Sequence, residues 1–205
     1  QRGLAAKDGP IVPLIAETGG INAMLVDSTA LPEHVVDAVV QSAFRSAGQR
    51  CSALRLLCVH EEIADHVVAM LRGAMKELVV GDTASLATDV GPLIDRDAFD
   101  GIRAHVERLA GQTVGAGLPA NDMTRTAGQI AAKAAPTVSI IDATSHTIGP
   151  HLFEVDSIAA VKQEIFGPVL QVVRWSGDPT AVIEQINTLG YGLTLGIQTR
   201  IDSRA

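Results

Sequence analysis

Aromatic residues and cysteines are scarce in this chain of 205 residues. Aromatic residues make up 3% of the sequence and hydrophobic residues 47%, so the core must be built from Val, Leu, Ile and Ala, as in α/β proteins with parallel sheets. The only cysteines, Cys51 and Cys58, lie close together on one predicted turn and strand. That spacing argues against a disulfide between them and excludes a disulfide-rich secreted framework. We therefore expect a cytoplasmic location.

The chain also lacks excess positive charge and long apolar runs. Its net charge is −7, and Lys and Arg form no cluster, which argues against nucleic-acid binding by this segment. No apolar run approaches the roughly 20 residues needed to cross a bilayer, so we expect no membrane span. The polar cluster over residues 60–66 lacks the H-E-x-x-H spacing of a zinc helix, so no metal site is predicted.

Short apolar runs alternate with stretches of helical periodicity, which indicates a mostly parallel α/β sheet flanked by helices in a single domain, residues 1–205. The strands are predicted at 11–16, 22–26, 54–59, 112–115, 137–141, 151–155, 169–175 and 193–199. The helices are predicted at 33–46, 61–79, 97–109 and 179–187, with a helical turn at 157–163. Residues 115–135 are rich in Gly, Ala and Thr and are predicted to form a loop.

The run S-A-G-Q-R-C-S-A at residues 46–53 joins a predicted helix to a predicted strand and places Cys51 at the junction. Gly48 can adopt a positive φ without steric strain, so the chain can turn sharply there and present the thiol. A cysteine is nucleophilic only as its thiolate, which the nearby Arg50 would favour. The alternative is that Cys51 is a small buried apolar residue, as most free cysteines are.

Two further motifs occur in order with this one. Residues 17–22 read E-T-G-G-I-N at the end of an apolar segment, and residues 164–168 read E-I-F-G-P. The ordered set E-x-G-G-x-N, G-Q-x-C and E-I-F-G-P resembles the catalytic half of the NAD(P)-dependent aldehyde dehydrogenase superfamily. The resemblance implies an incomplete catalytic domain of aldehyde dehydrogenase type. The cofactor domain and the C-terminal flank would belong to a longer polypeptide, and the chain by itself is expected to be inactive.

The resemblance also assigns roles to single residues. Cys51 is the nucleophile, and Glu17 is the general base that activates the deacylating water. Gly19 lets the nicotinamide of NAD approach the backbone, Glu164 accepts hydrogen bonds from the nicotinamide ribose, and Phe166 lies beside the cofactor. Taken one at a time, these residues favour simpler interpretations: Glu17 a solvated carboxylate at the end of a strand, Glu164 a helix-end carboxylate and Phe166 a core residue; the ordered set of motifs favours the functional roles.

Longer runs narrow the resemblance to one subfamily. Residues 17–24, 42–55 and 191–196 are similar to bacterial proline utilization A proteins. This implies oxidation of the small-molecule aldehyde L-glutamate γ-semialdehyde to L-glutamate, the second step of proline catabolism, by a homo-oligomeric parent. FAD would be present only if the parent carried a proline dehydrogenase domain. Ser52 would help to bind the α-carboxylate of the substrate, although it is equally consistent with an ordinary turn serine.

Two other functions stay open at this level. The substrate could be a different aldehyde, since the three motifs specify the reaction and not the side chain of the substrate. The isolated chain could also be a non-catalytic folding or interaction module, because the cofactor domain is expected elsewhere.

Overall fold

A computed structural model of the chain describes residues 3, 6–10, 19–115, 140–201 and 203. A five-stranded sheet runs through it in the order β5-β6-β2-β1-β7, and every neighbouring pair is parallel. Its strands are β1 (Asn22–Val26), β2 (Leu54–His60), β5 (His151–Glu154), β6 (Val169–Trp175) and β7 (Leu195–Gln198). The short strands β3 (Ile141–Asp142) and β4 (Thr147–Ile148) form a separate antiparallel pair. The predicted mostly parallel sheet is confirmed.

Helices cover both faces of the sheet. They are α1 (Pro32–Ala43), α2 (Glu61–Glu77), α3 (Arg96–Gly115) and α4 (Pro179–Asn187). Because side chains alternate along a strand, Leu57 and Val59 pack with α1, α2 and α3, whereas Leu56 and Cys58 pack with α4. The strand β2 is buried on both faces, as its largely apolar sequence predicts. In the part of the chain that the structure describes, no helix is long and apolar enough to span a membrane.

Helix starts follow their sequence signals. Pro32 occupies the first turn of α1, where its missing N–H leaves no hydrogen bond unmade. Asp178 caps α4 by accepting a hydrogen bond from the Thr180 N–H at 2.9 Å, with Pro179 as the first helical residue. Both helices were predicted on these grounds.

Several predicted boundaries are wrong. Residues 112–115 belong to α3 and not to a strand, because Gly111 weakens a helix by only about 1 kcal/mol and does not end it. The first helix ends at Ala43, before the predicted residue 46, and the helical turn is limited to Ile158–Ala160. The last strand begins at Leu195. The predicted strand at 11–16, residues 137–139 of another, and residues 116–135 of the predicted loop lie outside the described residues.

The loops with the predicted site residues meet at one edge of the sheet. Cys51 directly precedes β2, Gly19 precedes β1, and residues 164–168 precede β6. The strands β6, β2 and β1 are neighbours and parallel, so their amino-terminal ends lie side by side. The candidate site is therefore at the amino-terminal edge of the sheet.

Candidate active site at the amino-terminal edge of the sheet

The loop that carries Cys51 begins with a tight turn, Arg45–Gly48. Three successive residues in it have positive φ: Ser46 at 57°, Ala47 at 50° and Gly48 at 65°. A Cβ on Gly48 would overlap the carbonyl oxygen of Gly167, so this position requires glycine for space as well as for conformation. The sharp turn predicted at Gly48 is confirmed, and Cys51 is exposed beyond it.

The two side chains that follow the turn fix the path of the loop. Gln49 accepts a hydrogen bond from the Ile94 N–H at 2.9 Å and donates to the Pro92 carbonyl at 3.3 Å. The Arg50 guanidinium donates to the carbonyls of Gln41 and Ser42 at 2.8 and 3.2 Å. Arg50 thus satisfies carbonyls in the last turn of α1, where a cation is favoured.

Asn22, the first residue of β1, holds the cysteine loop by hydrogen bonds. It is buried, and its Nδ2 donates to the Cys51 carbonyl at 2.7 Å and to the Ala53 carbonyl at 2.9 Å. These bonds tie the first residue of β1 to both sides of Ser52. The motif E-x-G-G-x-N contains this asparagine, but the spacing alone does not indicate that it holds the cysteine loop.

The 164–168 segment lies against Gly19, which precedes β1. Gly19 has φ of +127°, and a Cβ there would overlap the Glu164 carboxylate. Glu164 is mostly buried, and among the described residues its Oε1 has no hydrogen-bond partner. Phe166 is 42% exposed, which excludes the alternative of an ordinary core phenylalanine. The two predicted cofactor residues Gly19 and Glu164 are thus brought into contact.

Arg55 connects this segment to the cysteine loop, and sequence reasoning assigned it no role. It is 2% exposed, although it lies in the first part of β2. Its Nη1 donates to the Gly167 carbonyl at 3.0 Å and its Nη2 to the Arg50 carbonyl at 3.2 Å. Burial lowers the pKa of this guanidinium, and the charge of Glu164 partly offsets that effect. The one available signal was an arginine inside an otherwise apolar strand.

Ser52 is exposed and lines two adjoining surface grooves. One has a volume of about 220 Å³ and is lined by residues of β1, β2 and β7, including Asn22, Leu54 and Leu195. The other has a volume of about 430 Å³ and is lined largely by α1 together with Arg45 and Arg50. This position makes Ser52 accessible to a small molecule.

The remaining predicted residues are the second cysteine and the general base. Cys58 is fully buried, and burial raises the pKa of its thiol to about 12, so it is a core residue and no rival nucleophile. Glu17, the predicted general base, lies outside the described residues.

Comparisons with known proteins show the family to which the chain belongs. The model of the aldehyde dehydrogenase family matches residues 3–205. The bifunctional protein PutA of Escherichia coli (strain K12) is 48% identical over 208 residues, which cover 98% of this chain and 15% of that protein. The 1-pyrroline-5-carboxylate dehydrogenase of Geobacillus kaustophilus is 34% identical over 189 residues, which cover 91% of this chain and 33% of the enzyme.

Solved structures show the same relationship. A crystal structure of bifunctional proline utilization A (PutA) superposes with a TM-score of 0.81 at 46% identity, and the match covers 99% of this chain and 19% of that one. A 1-pyrroline-5-carboxylate dehydrogenase from Thermus with bound NAD superposes with a TM-score of 0.73 at 26% identity, covering 91% of this chain and 33% of that one. The chain thus spans only a small part of these relatives. It belongs to the aldehyde dehydrogenase family.

Proposed function

We propose that the full-length protein containing this chain oxidises L-glutamate γ-semialdehyde to L-glutamate with NAD, the second step of proline catabolism. The observation that carries the proposal is an exposed cysteine on a hydrogen-bonded loop, tied through one buried arginine to the Gly19–Glu164 contact. The similarity to PutA and to 1-pyrroline-5-carboxylate dehydrogenases supports the choice of substrate.

The residues at the edge of the sheet fit NAD. The Glu164 side chain is 15% exposed, and an ionised carboxylate is an acceptor only, so its accessible part can accept a hydrogen bond from a ribose hydroxyl. The exposed Phe166 offers an apolar face beside it, and Gly19 leaves room where a side chain would collide with Glu164. These three residues would hold the nicotinamide half of the cofactor. When bound, NAD would supply the acceptor for the hydride that the substrate carbon loses.

Cys51 would form the covalent intermediates. Its thiolate attacks the aldehyde carbon, and the carbonyl oxygen becomes the oxyanion of a thiohemiacetal. The backbone N–H of Cys51 is the proposed hydrogen-bond donor to that oxyanion, and the loss of one such donor typically lowers a rate about 100- to 1000-fold. After hydride departure the substrate is a thioester on Cys51. Glu17 removes a proton from water, which attacks the thioester and releases the carboxylic acid and the thiolate.

Ser52 would contribute to substrate choice. Its hydroxyl is adjacent in sequence to the nucleophile and exposed on the two grooves. A hydroxyl can donate a hydrogen bond to a carboxylate, and glutamate semialdehyde carries one at the end opposite its aldehyde. Oxidation of another aldehyde at the same cysteine is the second candidate, which the family membership favours equally.

The remaining assignments concern the whole protein. We propose that residues 1–205 are one catalytic domain that works with a cofactor domain of the same polypeptide, in a homo-oligomeric cytoplasmic enzyme. FAD would enter only through a proline dehydrogenase domain.

The proposal is tested by NADH formation in the full-length protein, with glutamate γ-semialdehyde and an uncharged aldehyde of similar length as substrates. We expect a kcat/KM for the amino-acid aldehyde at least about tenfold higher, and a Ser52→Ala variant that loses most of this advantage. Equal kcat/KM values would contradict the proposed substrate and leave aldehyde oxidation intact. No NADH with either aldehyde would contradict the proposed reaction.

A further inference from the structure

Arg55 is the largest fully buried side chain in the described ranges. Burying a guanidinium is unfavourable unless its charge and its N–H groups are paired, so its partners indicate what it stabilises. Those partners belong to two segments that meet at the candidate site, the cysteine loop and the 164–168 segment.

The contacts use the planar shape of the guanidinium. One terminal nitrogen donates to the Gly167 carbonyl at 3.0 Å, and the other donates to the Arg50 carbonyl at 3.2 Å. The second nitrogen also lies 3.5 Å from Oε1 of Glu164, as an ion pair too long for a good hydrogen bond. The guanidinium carbon lies 5.2 Å from the centre of the Phe166 ring, within the range of a cation–π contact.

We infer that Arg55 is a positioning residue that holds Glu164 and Phe166 in the cofactor-binding arrangement and in register with the loop of Cys51. The inference rests on the proposed function, since it concerns the site at which NAD would bind. Arg55 acts through Glu164: it balances the charge of the mostly buried carboxylate from its Oε1 side, while 15% of the Glu164 side chain stays exposed to a ligand. A lysine would keep the charge but cannot form the two separated hydrogen bonds and the stacking contact together.

If Arg55 had a purely structural role, its replacement would lower stability without a specific loss of NAD affinity. Arg72 provides the matched control for such a role. Like Arg55, Arg72 forms an ion pair with a mostly buried carboxylate, at 3.3 Å from Oε1 of Glu154, although Arg72 itself is only partly buried. Glu154 belongs to β5 and keeps a second partner in Arg174 at 2.9 Å when Arg72 is removed. Glu154 and Arg174 lie at the carboxyl-terminal ends of β5 and β6, whereas the candidate site lies at the amino-terminal edge, so replacement of Arg72 perturbs the fold away from that site.

The experiment compares Arg55→Lys, Arg55→Met and Arg72→Met in the full-length protein. The readouts are the Kd for NAD by titration calorimetry, the KM values for NAD and for the aldehyde, and the Tm. Both Arg55 variants are expected to raise the Kd and KM for NAD about tenfold or more, equivalent to about 1.4 kcal/mol. In the Arg55 variants, the KM for the aldehyde should change by less than about threefold. In the control, Arg72→Met should lower the Tm while the Kd for NAD stays within about twofold of the unmodified protein. Arg55→Lys keeps the buried charge paired and provides the test if Arg55→Met does not fold.

A second comparison tests whether Arg55 acts through Glu164. Glu164→Gln alone should weaken NAD binding, and addition of Arg55→Met to it should raise the Kd by less than about threefold further, because coupled residues are non-additive. An undiminished effect in the Glu164→Gln background would overturn the inference, as would NAD binding within about twofold of the unmodified protein in both Arg55 variants. If the unmodified protein makes NADH while the Arg55 variants bind NAD normally, the inference alone fails. If the unmodified protein binds no NAD, the inference and the proposed function both fail.

Discussion

Replacement of Asn22 by alanine should destabilise the chain more than the small loss of side-chain volume suggests. The side chain is 3% exposed and donates two hydrogen bonds, to the carbonyls of Cys51 and Ala53. Alanine removes both donors, and Ala53 is fully buried, so its carbonyl oxygen is left without water. An unpaired buried acceptor costs about 1–3 kcal/mol, and loss of the second, more accessible bond adds about 0.5–1.5 kcal/mol. We therefore expect Asn22→Ala to lower the free energy of unfolding by about 1.5–4.5 kcal/mol.

Urea unfolding at constant pH measures this loss, with an unchanged m-value showing that the unfolded state is the same. The matched control is Asn187→Ala at an exposed position at the end of α4, where we expect a change within about 0.5 kcal/mol. A second variant, Asn22→Asp, keeps the size but places a carboxylate opposite two carbonyl oxygens. It should be at least as destabilised at neutral pH and recover partly in acid, where a protonated carboxyl can donate one hydrogen bond. If Asn22→Ala and Asn187→Ala destabilise equally, the two bonds do not stabilise the cysteine loop.

Three further predictions concern single residues. Gly19→Ala should weaken NAD binding of the full-length protein about tenfold or more, because the new Cβ collides with Glu164 at a strained φ; unchanged binding in calorimetry would contradict this. A thiol reagent at neutral pH should modify Cys51 in the native protein and reach Cys58 only after unfolding, since burial raises the pKa of Cys58 to about 12; equal rates in peptide mass spectrometry would oppose this. Burial lowers the pKa of His151, so the unfolded chain takes up its proton first and stability should fall as pH drops below about 6.5. His151→Gln should reduce that decline between pH 7.5 and 5.5 in urea unfolding, and an unchanged decline would refute the assignment.

Local sequence signals predicted most of the described sheet. The strands β1, β2 and β6 were found because each is a short, nearly continuous apolar run, as expected for strands covered on both faces. Helix α4 was bounded by the Asp178–Pro179 start signal. These strands and this helix are specified by residues that are close together in the sequence, and hydrophobic periodicity is a pattern of such residues.

The wrong boundaries arose where tertiary contacts decide the conformation. Phe44 continues the apolar pattern of α1, but the helix has already ended. Ser46 and Ala47 adopt positive φ values, and the loop then brings Gly48 against the carbonyl of Gly167. No sequence pattern indicates a left-handed conformation for serine or alanine. The extension of α3 past Gly111 was missed for a related reason, since a single glycine only weakens a helix.

The candidate site was predicted only in part. Cys51, Gly19, Glu164 and Phe166 came from ordered motifs, and the structure places their loops on one edge of the sheet. The role of Arg55 could not be predicted, because its partner Gly167 is 112 residues away in sequence and a single sequence shows no pairing over that distance. Asn22 was visible as part of a motif but not as the support of the cysteine loop.

The most direct test of the central claim is NADH formation from glutamate γ-semialdehyde by two cysteine variants of the full-length protein. Cys51→Ala removes the proposed nucleophile, whereas Cys58→Ala removes a buried thiol from the core between β2 and α4. We expect Cys51→Ala to lower kcat about 10⁴-fold or more and Cys58→Ala to leave kcat within about threefold of the unmodified enzyme. A Cys51→Ala variant that still forms NADH at an appreciable rate would contradict covalent catalysis at Cys51 and the account built on it.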